Sequence, residues 1–275
     1  MIYDETICTL GEGPLWHPEL GELFWFDILG KRLHRKDKHW QFDEYVSAAG
    51  WVDAQRLLIA TQTALRLFEI ESGQSEHICD LEADNPVTRS NDGRADPQGG
   101  FWIGTMGINA EPGAGAIYRF WKGELKQLYG DIQISNSICF APEGDTAFFT
   151  DTNTQKIMAV PLDADGWPDG PPRVHIDLAG TPYRPDGAVV DRDGNLWSAQ
   201  WGVGRVAVYD RTGTEIAAHD LPATQTSCPA FGGDDLSRLY VTSARIGLGA
   251  SAEEDGKTFV LETDVVGQAE HRVLL

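Results

Sequence analysis

The sequence predicts an all-β fold: a six-bladed β-propeller with four-stranded antiparallel blades around a central channel. Three observations carry that expectation. The 30 glycines and 14 prolines among 275 residues recur along the whole chain, so no stretch of a dozen residues keeps a clean helical period. A unit then repeats: a polar residue, a short apolar run, a Pro- or Asp-containing turn closed by Gly, and a strand rich in aromatic and β-branched residues. The repeat interval is 45 residues from Asn91 to Asn136, 50 from Asn136 to Asp186 and 42 from Asp186 to Cys228. Periods of 40–50 residues at four short strands each are the signature of propeller blades.

Taken in chain order, the clear units are EGPLWHPELGELFWFDI (12–28), NDGRADPQGGFWIGT (91–105), NSICFAPEGDTAFFTD (136–151) and DGAVVDRDGNLWSAQWG (186–202). Weaker copies, AGWVDAQRLLIAT (49–61) and SCPAFGGDDLSRLYVTSA (227–244), bring the total to six. A lone blade has two faces to bury, so the blades must pack radially, and the whole of 1–275 reads as one domain. Ring closure is expected from a strand near the N-terminus pairing with KTFVLET (257–263). The nine tryptophans lie mostly on repeat strands, where blade packing accounts for them.

The repeat also ranks the polar residues. The leading residue precedes the turn glycine by nine positions in the first unit (Glu12 to Gly21) and by eight in the others (Asn91 to Gly99, Asn136 to Gly144, Asp186 to Gly194). Pseudo-symmetry about the channel then carries Glu12, Asn91, Asn136 and Asp186 to equivalent heights at one mouth. Two carboxylates and two carboxamides gathered there form a cluster of hard oxygens, which a divalent cation would neutralise. Such a donor set favours Ca²⁺, with Mg²⁺, Mn²⁺, Zn²⁺ and Fe²⁺ also able to accept it. The competing reading is structural, because Asn91 in SNDG and the Asp-Gly at 186–187 also suit turns. Arg89 adds a planar donor fork beside the cluster.

Composition removes several function classes. The 22 Lys and Arg stand against 42 Asp and Glu, a formal charge of −20, which disfavours nucleic acid and anionic membranes. With 41% hydrophobic residues the chain is too apolar for a disordered acidic polymer. No apolar run reaches the ~18–20 residues of a membrane helix, and MIYDETICTL lacks the features of a signal peptide. Four scattered cysteines without C-x-x-C fit a reduced, cytoplasmic protein, expected as a monomer or weak homo-oligomer. There is no G-x-S-x-G, Walker or Rossmann pattern, and the seven histidines form no H-x-H or H-E-x-x-H. DADGWPDG (163–170) and DRDGN (191–195) lack the full calcium-loop spacing and read as hairpin turns. The basic run Lys31, Arg32, Arg35, Lys36 and Lys38, interrupted by Asp37, reads as one solvated hairpin.

LGEGPLW (10–16), RSNDGRADPQGGFWIGTM (89–106), ISNSICFAPEGDTAFFTDT (134–152), RPDGAVVDRDGNLWSAQWGVGRV (184–206) and TSCPAFGG (226–233) together resemble the senescence marker protein 30/gluconolactonase (regucalcin-like) family. The resemblance runs in order through nearly the whole chain. It implies a six-bladed propeller and a metal-dependent lactonase that opens a small sugar lactone to an aldonic acid. It also implies metal ligands at Glu12, Asn136 and Asp186, Asp186 as the catalytic residue, and substrate contacts from Arg89 and Asn91. A calcium-binding regulatory role without turnover is the alternative the family offers. Two departures stand out. Ser137 occupies the place where the family usually has glycine, so a side chain stands beside Asn136. After GTM the run is Gly107-Ile108-Asn109, with Glu111 the nearest acid, which makes Asn109 the substrate-binding candidate of that loop.

Overall fold

A computed structural model describes residues 1–275 as six four-stranded antiparallel sheets arranged in a ring. The N-terminal strand β1 (Ile2–Asp4) is followed by a first blade of β2 (Gly11–His17), β3 (Glu22–Asp27), β4 (Arg32–Arg35) and β5 (Lys38–Gln41). The second blade comprises β6 (Val46–Asp53), β7 (Arg56–Thr61), β8 (Ala64–Glu69) and β9 (Ser75–Asp80). The third comprises β10 (Thr88–Ala95), β11 (Phe101–Gly107), β12 (Gly115–Trp121) and β13 (Glu124–Ile132). The fourth comprises β14 (Ser135–Phe140), β15 (Thr146–Asp151), β16 (Lys156–Pro161) and β17 (Arg173–Asp177). The fifth comprises β18 (Pro185–Val190), β19 (Leu196–Gln200), β20 (Arg205–Tyr209) and β21 (Glu215–Asp220). The sixth contains β22 (Gln225–Gly232), β23 (Arg238–Ala244) and β24 (Thr258–Glu262), and β1 completes it by pairing with β24. This is the expected six-bladed propeller, closed through KTFVLET. The sole helical segment is a 3₁₀ turn at Thr152–Thr154, and no helix is long and apolar enough to cross a membrane.

Hydrophobic burial explains why the sheets stand radially. Each seam between neighbouring blades holds its own apolar cluster. Phe24 and Phe26 of the first blade meet Leu57 and Phe68 of the second, and Trp16 of the first stacks on Tyr240 of the sixth at 5.4 Å. Trp102 and Phe149 fill the seam between the third and fourth blades. At roughly 1.5–3 kcal/mol for each large side chain buried, every seam contributes, and none can form without its neighbour. Trp25, Trp102 and Trp197 occupy matching second strands and are almost fully buried, as the repeat implied. The basic run forms the β4–β5 hairpin, with Asp37 in the left-handed region (φ 62°) at its tip.

Every inner strand carries a register shift against its neighbour: β2, β6, β10, β14, β18 and β22 alike. A bulge of this kind bends the strand and redirects side chains. It also corrects the assumption of one shared position. Glu12 and Asn136 are paired residues, opposite Phe26 and Thr150, immediately before the shift. Asn91 and Asp186 fall inside the shift, between Ser90 and Gly93 and between Pro185 and Ala188. The alternative reading of SNDG and of Asp186-Gly187 as turns is overturned, because both lie within inner strands. Gly187 is required there for space: a Cβ would collide with the side chain of Cys228.

Candidate functional site

The N-terminal ends of the inner strands converge on a cleft of about 390 Å³, within the usual range for small-molecule sites. Its lining includes Glu12 of β2, Arg89 and Asn91 of β10, Asn136 of β14 and Asp186 of β18. Residues scattered over four blades are thereby assembled in one place. Asn109 also lines it, from the loop after β11. That residue is exposed, and its side-chain amide and backbone N–H donate to the Glu111 carboxylate at 2.9 and 3.0 Å. Glu111 is thus turned onto its own loop.

A directed hydrogen-bond chain orients the carboxamides. A guanidinium has only donors, so Asn91 must present Oδ1 to Arg89 Nη1, at 2.7 Å. Asn91 Nδ2 then donates to Asn136 Oδ1 at 3.1 Å and to the Ser135 carbonyl at 2.8 Å. Asn136 Nδ2 in turn donates to Thr152 Oγ1 at 2.9 Å, and that hydroxyl donates to the Pro185 carbonyl at 2.8 Å. Four side chains from two blades share one polarity, which starts at Arg89, ends on the Pro185 carbonyl of a third blade, and fixes Asn136 with its oxygen as acceptor. Ser137 adds a tie. Its backbone lies in the left-handed region (φ 57°), as does Gly13 after Glu12 (φ 52°), and its hydroxyl donates to the Asp186 carbonyl. Serine therefore exchanges glycine's conformational ease for a bond to the neighbouring blade.

The carboxylates are not compensated in the same way. Glu12 accepts only a 3.3 Å contact from Gly13 N–H. Burial, then the charge of Asp92, raises the Glu12 carboxyl well above the ordinary range. Burial, followed by Glu12 and Asp92, raises Asp186 in the same way. Asp92, buried just beyond them, is pushed up to about 6 by desolvation despite the 2.7 Å bond it accepts from Ile138 N–H. Arg89 is lowered to about 10 by its own burial, with Glu12 the first charge opposing that effect. The next cation inward, Arg94, pairs with Glu270. Around the channel axis, four carboxylates (Glu12, Asp92, Asp186, Glu270) thus face two guanidiniums.

Sequence reasoning missed Asp92, the acid of the same SNDG motif, because it lies one residue past the repeat position that singles out Asn91. It also missed Arg94 and Glu270, which meet only through the fold. Arg89 Nε is buried without a hydrogen-bond partner and is free to donate to a bound oxygen. No three His, Cys, Asp or Glu side chains converge closely enough anywhere to hold a metal by themselves. The available set is two carboxylates plus the Asn136 carboxamide, a hard-oxygen set suited to a divalent cation such as Ca²⁺. Thiolate ligation is disfavoured nearby, since burial and the surrounding acids raise the Cys228 thiol far above its ordinary range.

Fold and site define a class: six-bladed propellers whose inner strands gather oxygen-bearing side chains at one channel mouth, around a cleft of small-molecule size. Residues 10–245 match the family described as SMP-30/Gluconolactonase/LRE-like region, and the chain belongs to that family. The crystal structure of a calcium-binding protein, regucalcin, from Agrobacterium tumefaciens str. C58 superposes with a TM-score of 0.97 at 43% identity, covering 100% of this chain and 97% of that one. A Rhizobium meliloti (strain 1021) protein named as a candidate sugar lactone lactonase is 42% identical over 97% of this chain and 94% of its own length. The L-arabinolactonase of Azospirillum brasilense is 36% identical over 98% and 93% respectively.

Proposed function

We propose that this chain is a metal-dependent lactonase, a carboxylic-ester hydrolase that opens a sugar lactone such as gluconolactone to its aldonic acid. The observation that carries the reading is the pair of buried, uncompensated carboxylates, Glu12 and Asp186, beside the oriented oxygen of Asn136. Four carboxylates against two guanidiniums leave a surplus of two negative charges when all are ionised, which one divalent cation balances. Glu12, Asn136 and Asp186 would hold that ion, Ca²⁺ by donor type. When bound it supplies Lewis-acid polarisation of the lactone carbonyl.

The protein's own groups do the rest. Arg89, through its unpartnered Nε, and Asn91 hold the ring hydroxyls, converting binding into positioning. Asp186, within the cleft, takes the proton from the attacking water at its carboxylate. The water oxygen bonds to the acyl carbon, the bond from that carbon to the ring oxygen breaks, and the proton returns to the ring oxygen as a hydroxyl. No covalent acyl-enzyme is required. The cleft's size, the four free cysteines and the full-length likeness to lactonases support a cytoplasmic enzyme acting on a small molecule through one domain, 1–275.

The test is acid release from a panel of aldonolactones, corrected for spontaneous opening, with and without chelator and with Asp186→Ala. Metal-dependent turnover lost in the variant supports the enzyme. The likeness to a calcium-binding regucalcin favours the second reading, binding without turnover. Tight metal binding with no hydrolysis of any lactone would establish that second reading and overturn the first.

A further inference from the structure

The cleft contains two cations, and they are held very differently. Arg89 is buried on the floor and bonded to Ser90 and Asn91. Arg184 is exposed at the rim, makes no ion pair, and donates no side-chain hydrogen bond. Its neighbour Arg205 is committed elsewhere, lying 4.0 Å over the Tyr183 ring and pairing with Glu215 at 2.8 Å. Nor is Arg184 drawn to the floor: the cation that offsets Glu12 and Asp186 is Arg89.

The backbone of Arg184 is fixed although its side chain is unpaired. It immediately precedes Pro185, whose ring excludes the helical region for the residue before it. Its carbonyl accepts the Trp201 N–H at 2.9 Å. A guanidinium is therefore launched from a rigid strand start over a cleft whose floor is acidic. An anion entering that cleft meets this unengaged guanidinium at the rim, because Arg89 on the floor already donates to Ser90 and Asn91.

Resting on the lactonase reading, we propose that Arg184 is a specificity-determining residue that selects sugar lactones carrying an anionic group at the carbon farthest from the lactone carbonyl. With the carbonyl on the floor, the far end of the sugar lies at the rim. There the guanidinium fork suits the oxygens of a phosphate, sulfonate or carboxylate. The inference names a chemistry, a lactone with a distal anion, and assigns to Arg184 a part in binding rather than in bond cleavage.

The experiment compares D-glucono-1,5-lactone with the same lactone bearing phosphate or sulfonate at C6, using the full chain loaded with Ca²⁺ and its Arg184→Gln and Arg184→Lys variants. The expected result is a lower KM for the anionic lactones in the wild type. Arg184→Gln should raise the anionic-to-neutral KM ratio about five- to tenfold, with a smaller change in the kcat ratio. Arg184→Lys should recover part of the preference, and about 0.5 M salt should shrink it in the wild type. Whether phosphate or sulfonate responds more strongly identifies the preferred anion, and either supports the proposal. If the neutral lactone is hydrolysed but the ratio is the same in wild type and Arg184→Gln, the proposal is overturned while the lactonase reading stands. If no lactone is opened by the wild type, both fall together.

Discussion

At one mouth of the channel, Glu12 and Asp186 are buried close together in no ion pair, offset only at a distance by Arg89, around an open cleft of about 390 Å³. At the other, Arg94 and Glu270 are buried as an ion pair beside a cavity of about 30 Å³, room for one or two waters. The same inner strands line both ends, the first from their N-terminal residues and the second from their C-terminal ones. What differs is the cover. The chain beyond β24 crosses the second mouth and bonds to five blades. Gly267 N–H donates to Leu236, Gln268 Nε2 to the carbonyls of Phe140 and Val190, Val273 N–H to Trp51, and Leu274 N–H to Gly99. Uncompensated charge at one end and compensated charge at the other separate a place built to bind from a place built to hold.

The largest test of that contrast removes one charge from the open mouth. Asp186→Asn should lower kcat/KM on a sugar lactone by at least ~10³-fold, about 4 kcal/mol. The chelated variant should be no less stable than wild type, because a buried like charge has gone. A parallel loss of thermal stability and activity would break the comparison. At the sealed mouth the outcome should reverse. Glu270→Ala leaves Arg94 buried and unpaired, and urea unfolding should show a loss of about 3–5 kcal/mol. Replacing both residues with Met should restore most of it.

The third test is pH. The folded-state pKa of Glu12 lies above its unfolded value, so the folded protein keeps a proton that the unfolded chain has released. Its contribution to stability is complete below the unfolded pKa, near 4.5, and is lost as pH rises toward the folded value. Chelated wild type should therefore lose stability relative to Glu12→Gln as pH rises from roughly 5 to 8. Ca²⁺ at ~100 times its Kd should return about 2.7 kcal/mol to the wild type. Parallel pH profiles for the two chelated proteins would refute the unpaired-carboxylate account.

The smallest effect concerns Ser137. Ser137→Ala keeps the left-handed backbone but loses the bond to the Asp186 carbonyl, a cost of about 1 kcal/mol. Ser137→Gly loses that bond but gains ease, so its stability should move by less than about 1 kcal/mol. Calorimetry on the two variants separates strain from tie.

Much of the architecture was legible because propeller blades repeat in sequence as well as in space. Turn glycines such as Gly99 and Gly194 recur eight residues after the leading polar residue (nine in the first unit), and that register brings Glu12, Asn91, Asn136 and Asp186 to one mouth. The half-residue details were not legible. Bulges place Glu12 and Asn136 in pairs but Asn91 and Asp186 between pairs, and the sequence count treats all four alike. Asp92 was hidden because it stands one residue off the repeat position, beside Gly93, where a Cβ would collide with Ile103 and the Trp102 carbonyl.

Sequence alone determined the repeat, the ring and the list of polar residues at its mouth, because periodic burial and turn chemistry are local properties that each blade restates. Tertiary structure decided the polarity running from Arg89 to Pro185, the charge surplus at one end and the seal at the other. Those rest on contacts between residues 16 to 219 positions apart, such as Asn136 with Thr152 and Trp51 with Glu270. No local pattern encodes which charge will find a partner once buried; only the closed ring brings Glu270 to Arg94 and leaves Glu12 and Asp186 without one.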